Sequence, residues 1–475
     1  MVAEHLTIRN LTADPIELKH VERFAAPEAP RPDLKNLTKS FSTLMNNITR
    51  SASEVDAIAD GADAFARDDV AVRIEPFSAV TTDVRAFVDS DKERLRLTFE
   101  VDGGERHAIQ TPVPTSDSAT MTPLGDNPQR RLTGIYTTAE SHLAVFSSAN
   151  LNCWMKELHE DTLVSALSIP GTHNSPTYHV APPSVRCQAV SPREQLENGV
   201  RFFDIRVQPQ YPEDPSKDSL ALVHGAFPIS LKGNKHFRDL VNDIQDFLER
   251  NPSETLIMSV KREGPGIHND AQLSKILYDH YASDPYKWYT EPKIPTLAEA
   301  RGKIVLLRRF DLDDGLKQEW NGRGWGINGS GWPDNTPHGT CASGHVCIQD
   351  FYEVLETENI DRKIEYVTAQ LARAATLNYP LGILSSENDE DSGRNPFYVN
   401  FLSASNFWKL QTWPEKIAAK LNPATVDYIC RQHREDAEGN WSTGILVCDW
   451  VGLDGDWDLV RCIVGMNSRL MSKQR

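Results

Sequence analysis

The sequence predicts an α/β chain: an irregular (β/α)8, TIM-like barrel preceded by an N-terminal β-rich, sandwich-like domain. Three observations carry this reading. Composition breaks near residue 150, since all ten tryptophans and all seven cysteines lie at or beyond Cys153 and Tyr136 is the one tyrosine before it. Before the break, apolar residues recur with period two. After residue 160, strand-like and helix-like stretches alternate. The break divides the chain into an accessory domain of unassigned role, residues 1–150, and a barrel, residues 151–475.

In the first region Leu95, Leu97, Phe99 and Val101 alternate with polar residues, as do Val70, Val72 and Ile74. That is the period of a strand with one wet face. LTIRNLT, PIELKHV, LTGIYTT and HLAVFSS read as further short strands. Phe41, Leu44, Met45 and Ile48 have helical spacing, so an antiparallel sandwich with a helical insertion near residues 35–65 is expected. Nothing in this region looks catalytic.

Eight strand-like runs follow: LVSALSI, VRFFDIRV, LALVHG, TLIMSV, KIVLLRR, HVCIQDF, LGILSS and GILVCDW. Most are compact apolar runs, as in strands buried on both faces. Phe237, Leu240, Val241, Ile244, Phe247 and Leu248 trace one helical face that stops at Asn251-Pro252, and Ile364, Val367 and Leu371 trace another. No helix is evident after the second strand, hence an irregular barrel. In such a barrel the chemistry sits at the carboxyl ends of the strands. Those ends carry His173 and Asn174, Asp204 and Arg206, His224, Lys261 and Glu263, Arg308 and Arg309, Asp350 and Tyr352, and Asp449. Each has a bland reading as a cap or an ion pair, but seven of eight strands converge on one mouth. Two histidines with an arginine suit proton transfer around an oxyanion, with phosphoryl transfer the expected class.

The charge bounds the partners. With 50 basic and 67 acidic side chains the net charge is −17, which opposes nucleic-acid binding. No apolar run is long enough to span a membrane, and the opening MVAEHLTIRNLT lacks a basic, then apolar, leader pattern. Seven sparse cysteines suit reduced thiols. A cytoplasmic protein with transient membrane-surface association is expected.

SIPGTHNS, GVRFFDIRV, LVHG, NPSETLIMSVKRE, ARGKIVLLRRF, IQDFY, YVNFLSAS and CDW occur in the order of the X-region of the phosphatidylinositol-specific phospholipase C family, which residues 155–470 resemble, closest to the bacterial type. The resemblance implies cleavage of phosphatidylinositol to diacylglycerol and a 1,2-cyclic inositol phosphate. It implies His173 as general base, Asp449 as the carboxylate orienting it, Arg206 as the phosphate contact with Asp204 beside it, and His224 as general acid. Lys261, Arg309, Asp350 and Tyr352 match residues lining the inositol ring. Asn174 departs from the pattern: the bacterial type usually has an aspartate there that supports the general acid, whereas calcium-dependent eukaryotic relatives have a ligating asparagine.

Cationic Arg206 and Lys261 oppose a calcium site, so no metal and no other cofactor is expected, with calcium held by Asn174, Asp204 and Glu263 as the alternative. A weakened inositol-lipid-binding module and a metal-dependent glycerophosphodiesterase-like barrel are the competing readings. Trp320, Trp325 and Trp332, and Phe407, Trp408 and Trp413, are candidate aromatic tips for a lipid interface, or equally loop staples.

Overall fold

In the computed structural model, the described residues are 4–26, 56–86, 93–101, 103–114, 116–137, 140–214, 216–354, 358–379, 381, 396–406, 410–434 and 439–474. The chain forms two compact units, Met1–Ala149 with Val426–Gln432, and Asn150–Thr425 with His433–Arg475.

The first unit holds two five-stranded sheets. One runs Ser78–Ala86, Glu4–Asn10, His142–Ser147, Leu132–Thr137, Ser118–Thr120; the other runs Ala66–Ile74, Ile16–Ala25, Glu93–Val101, Arg106–Thr111, Thr122–Pro123. Inward residues of both sheets share one core that includes Leu6, Ile8, Leu18, Val21, Leu97, Phe99 and Val145. This is a sandwich, with one departure from the antiparallel expectation: Glu4–Asn10 and His142–Ser147 pair in parallel. The alternation in Glu93–Val101 is also less clean than expected, because Arg94 and Thr98 are buried with their apolar neighbours. Residues 56–65 form turns and coil; the rest of the expected helical insertion lies outside the described residues.

The second unit is built on a curled, mostly parallel sheet. Its strands run Ile304–Arg308, Leu256–Arg262, Phe202–Pro209, Ile169–Thr172, Ile445–Cys448, Phe397–Phe401, Val346–Gln349. Four of these are fully buried along their length, as IVLLR and ILVC require. Where the sequence shows no helix after the second strand, Leu220–His224 returns antiparallel to Phe202–Pro209. LALVHG is therefore not a member of the parallel ring. The first strand is IPGT rather than LVSALSI, whose Val164–Ala166 form a 3-10 turn. Most of LGILSS lies outside the described residues, and FYVNF fills the ring between Val346–Gln349 and Ile445–Cys448.

The helix Phe237–Arg250 buries the face formed by Phe237, Leu240, Val241, Ile244, Phe247 and Leu248. Each such side chain contributes ~1.5–3 kcal/mol of burial. Glycine is required before the last strand: Gly444 has φ +63°, and a Cβ there would stand 2.5 Å from the Tyr398 carbonyl oxygen. Among the described residues, no helix is long and apolar enough to cross a membrane.

Candidate active site

Sheet register gathers the polar residues at one level. Thr172 pairs with Phe203 and with Cys448, which places His173, Asp204 and Asp449 side by side. Arg206 pairs with Lys261, and Val260 with Arg308, so Arg309 follows at the same height. The antiparallel pair Val207–Leu222 brings His224 back down to that level. Alternation then decides which arginine enters the mouth. Arg308 is turned away, donating to the carbonyls of Trp325 and Phe310 at 3.0 Å each, and burial lowers it to about 10.

Three clusters result. In the first, His173 Nδ1 faces Asp449 Oδ1 at 3.0 Å, which leaves Nε2 toward the mouth. The imidazole and carboxylate are 12% and 2% exposed. Burial, against the attraction of His173, raises the Asp449 carboxyl above its ordinary range. Gln188, which the sequence reading passed over, ties this pair down: its Nε2 donates to the carbonyls of His173 at 2.6 Å and Cys448 at 3.0 Å. A side chain that bonds to backbone leaves no periodicity by which to find it.

The second cluster is ionic. Arg206 reaches Asp204 Oδ2 at 3.2 Å with one nitrogen and Glu263 Oε1 at 3.2 Å with another. Arg309 meets Asp204 Oδ1 at 3.4 Å, and Lys261 meets Glu263 Oε1 at 3.0 Å. Burial resists ionisation of Asp204, but Arg206, Arg309, His173 and the Asn174 N–H together hold it far below the usual carboxylate range. Glu263 is likewise penalised by burial, yet Arg206, Lys261 and the Gly225 N–H bring it down to about 2. Arg206 in turn is held above its ordinary value, the two carboxylates outweighing the cost of burial.

The third cluster lines the far wall. Asp350 Oδ2 accepts from Trp332 Nε1 at 3.0 Å, and the Arg309 guanidinium lies 4.0 Å above the centroid of the Trp332 ring. Trp332 is thus a wall of the site rather than a lipid-facing tip. Trp325 is buried, which makes it a staple; Trp320 is exposed, Trp413 half-buried, and Phe407 and Trp408 lie outside the described residues. Behind Asp350, the buried Lys363 donates to Gln349 Oε1 at 3.0 Å and to the Phe351 carbonyl, which fixes the end of the strand. Tyr352 sits at the rim, its hydroxyl donating to Asp334 Oδ1 at 3.0 Å, and burial with that carboxylate raises it to about 12.

The second histidine is held by a backbone carbonyl. His224 Nδ1 faces the Val185 carbonyl at 2.9 Å, with Cys187 Sγ 3.7 Å away. The rings of His173 and His224 are 5.8 Å apart, edge to face. Burial, then Arg206 and His173, lower His224 from 6.5 to about 4. Asn174 makes its own contacts elsewhere: its N–H donates to Asp204 Oδ2 at 3.2 Å and its Nδ2 lies 3.4 Å from His173 Nε2. Its φ is +42°, a left-handed turn that asparagine tolerates well.

The low pKa of His224 makes stability depend on pH. Between pH 6.5 and 4 the unfolded chain binds a proton there that the folded chain does not. Stability is therefore intact above 6.5 and declines as pH falls through this window. The loss attributable to His224 is about 2 kcal/mol at pH 5 relative to pH 8. Urea unfolding of His224→Gln at both pH values should show a drop smaller by that amount than the wild type. Equal drops would refute the assignment.

The arrangement pairs an oriented imidazole, a second imidazole 5.8 Å away and a guanidinium fixed between two carboxylates. It can accept a proton, donate one, and hold an anionic oxygen between them. Comparison with known proteins points the same way. Residues 161–310 match the model of the phosphatidylinositol-specific phospholipase C X domain. The 1-phosphatidylinositol phosphodiesterase of Staphylococcus aureus (strain Newman) is 28% identical over 353 residues, 71% of this chain and 100% of that protein. That of Listeria monocytogenes is 29% identical over 316 residues, 64% of this chain and 82% of that one. Two solved variants of the Staphylococcus aureus phosphatidylinositol-specific phospholipase C, both 25% identical, superpose with TM-scores of 0.51 and 0.52. Each covers 67% of this chain, and 98% and 97% of theirs. The X-region match, the relatives covered over most of their length and the curled sheet agree: from residue 150 onward the chain is similar to the bacterial phosphatidylinositol-specific phospholipases C, and residues 161–310 carry the pattern of their X domain.

Proposed function

We propose that this chain is a phosphatidylinositol-specific phospholipase C, a phosphoric diester lyase that releases diacylglycerol and a 1,2-cyclic inositol phosphate. The observation that carries the reading is the His173–Asp449 pair facing His224 across 5.8 Å, with Arg206 locked between Asp204 and Glu263. His173 takes the proton of the inositol 2-hydroxyl as that oxygen attacks the adjacent phosphorus. Asp449 holds the ring in the tautomer with Nε2 free and stabilises the cation that forms. Arg206 hydrogen-bonds the phosphoryl oxygens, and His224 protonates the departing glycerol oxygen. The phosphodiester supplies the negative charge that His224 lacks in the free protein. Its arrival offsets Arg206 and raises the acid toward the protonated state it needs. Lys261, Arg309, Asp350 and Tyr352 surround the inositol ring, with Trp332 as its floor.

Metal independence belongs to the same proposal. Both carboxylates that calcium would need, Asp204 and Glu263, are already paired with guanidinium or ammonium groups. Fixed positive charge inside a cation site is costly. Incubation with phosphatidylinositol vesicles, followed by phosphorus NMR, should yield the cyclic phosphate at a rate that neither excess EDTA nor calcium alters. Absence of product would sink the function; loss on chelation restored by calcium alone would sink metal independence and implicate Asn174, Asp204 and Glu263.

The substrate is met at a membrane surface. The loop after His173 and the hairpin after His224 are joined by a hydrogen bond from Leu231 N to the Val180 carbonyl, at 3.0 Å. Between them they expose Val180, Phe227 and Leu231 by 65, 45 and 69%. Apolar tips beside the mouth favour transient insertion. Inside the pocket, Asp350 accepts hydrogen bonds and repels added phosphate. Unphosphorylated phosphatidylinositol should therefore be cleaved at least about tenfold faster than its 4,5-bisphosphate, a difference of roughly 1.4 kcal/mol in the barrier. Equal rates on matched vesicles would show the pocket to be misassigned.

A further inference from the structure

One chemically capable group in the mouth has no part in the mechanism above. The thiol of Cys187 is fully buried, its sulfur 3.7 Å from His224 Nδ1. One ligand atom from each of His173, Cys187 and His224 lies within 4.8 Å of the other two. Among the described residues, no other group of three or more His, Cys, Asp or Glu side chains meets that spacing. The three come from separate segments: the turn after Ile169–Thr172, the loop before the helix Pro192–Glu197, and the end of Leu220–His224. We propose that His173, Cys187 and His224 form an inhibitory site for a thiophilic divalent cation, zinc being the type, which captures both proton-transferring imidazoles at once. The inhibition rests on the roles proposed above; the binding does not.

The donor set selects the ion. Two imidazoles and one thiolate suit zinc, which binds four ligands of N and S type and fills the fourth position with water. Calcium takes six to eight oxygens and finds none in this set. The surroundings are those of a metal-binding histidine. Asp449 holds His173 Nδ1 at 3.0 Å, which leaves Nε2 as the metal-binding atom of a carboxylate–histidine–metal chain once the Asn174 amide, 3.4 Å from it, turns aside. His224 presents Nδ1 toward the sulfur, so coordination there moves the ring proton to Nε2 and gives up the Val185 carbonyl. The thiol proton leaves to solvent, and the loaded site carries one net positive charge. Arg206 opposes that charge, while Asp204 and Asp449, both close enough to act on Cys187, offset it. A bound ion withdraws base and acid together, so inhibition is complete rather than partial.

Cobalt(II) is the probe. Added to the metal-free full chain, it should give one equivalent of a thiolate-to-cobalt charge-transfer band with tetrahedral d–d bands, absent in Cys187→Ala and Cys187→Ser. In parallel, zinc should inhibit cleavage of phosphatidylinositol by the wild type, with full recovery on EDTA. Each variant is referred to its own metal-free rate, and near-ultraviolet circular dichroism checks that it is folded. Loss of an outer-shell partner typically costs 10–100-fold in affinity, so loss of a ligand should raise the zinc midpoint of Cys187→Ala at least about 100-fold. The site is refuted if stoichiometric cobalt gives no thiolate band in the wild type. It is refuted equally if the band survives in Cys187→Ala, or if zinc inhibits wild type and variant alike. A band that depends on Cys187 in a chain that cleaves nothing would uphold the site and overturn the function instead.

Discussion

His173→Ala is expected to lose its activity on phosphatidylinositol and on an inositol nitrophenyl phosphate alike, whereas His224→Ala should lose it on the lipid only. The difference lies in what each proton transfer serves. The 2-hydroxyl needs a base whatever group departs, and His173, oriented by Asp449 at 3.0 Å, is the base placed to serve it. A glycerol alkoxide needs a proton to leave; a nitrophenolate, far less basic, leaves almost unaided. General acid and base groups contribute ~10²–10⁴-fold each, so the contrast is easily measured. The structure sharpens the expectation for the acid. His224 is supported by the Val185 carbonyl rather than a carboxylate, and its pKa in the free protein is held near 4. A weaker proton supply places the lipid defect of His224→Ala toward the lower end of the range. Steady-state rates on both substrates, with folding checked by circular dichroism, decide it. Equal losses for both variants on both substrates would reverse or abolish the two roles.

The parts of this site that lie on strands were legible in the sequence, because a strand fixes both height and direction. Asp204 and Arg206 are two residues apart and face the same side; so are Lys261 and Glu263, and the register between Arg206 and Lys261 joins the two pairs. The choice between Arg308 and Arg309 was not legible in the apolar run KIVLLRR, since either phase buries it; the Trp325 and Phe310 carbonyls settle it. Loop-borne parts were hidden for another reason. Gln188, Val185 and Cys187 lie in a stretch without periodicity, and they reach the histidines only through chain folding across 15 to 39 residues. LALVHG has the composition of a buried parallel strand, yet its direction is set by the short connection from Pro209. Ten residues leave no room for a crossover helix, so an antiparallel return was implicit in the spacing.

Replacing Arg206 should produce a double loss, because it serves the phosphate and holds the site together. As the group that stabilises charge developing on the phosphoryl oxygens, its removal should lower kcat by ~10²–10³-fold with little change in KM. It also spans Asp204 and Glu263 at 3.2 Å each, and Asp204 is fully buried. Breaking a buried pair by deleting one partner costs ~3–5 kcal/mol, and Arg206→Ala should fall at the lower end because Arg309 and Lys261 remain on the same carboxylates. The pH dependence gives the sign. Both carboxylates are held below their unfolded values, so their stabilising contribution is present above about pH 5 and is lost as pH falls through the depressed range. Without Arg206 both carboxyls rise toward ordinary values, and the acid limb of the stability curve should become shallower. Arg206→Lys keeps the charge but not the two-pronged reach, so it should recover stability more fully than kcat. A kcat within tenfold of wild type for Arg206→Ala would remove the guanidinium from the chemistry. An unchanged acid limb would show that Asp204 and Glu263 owe their ionisation to Arg309 and Lys261 instead.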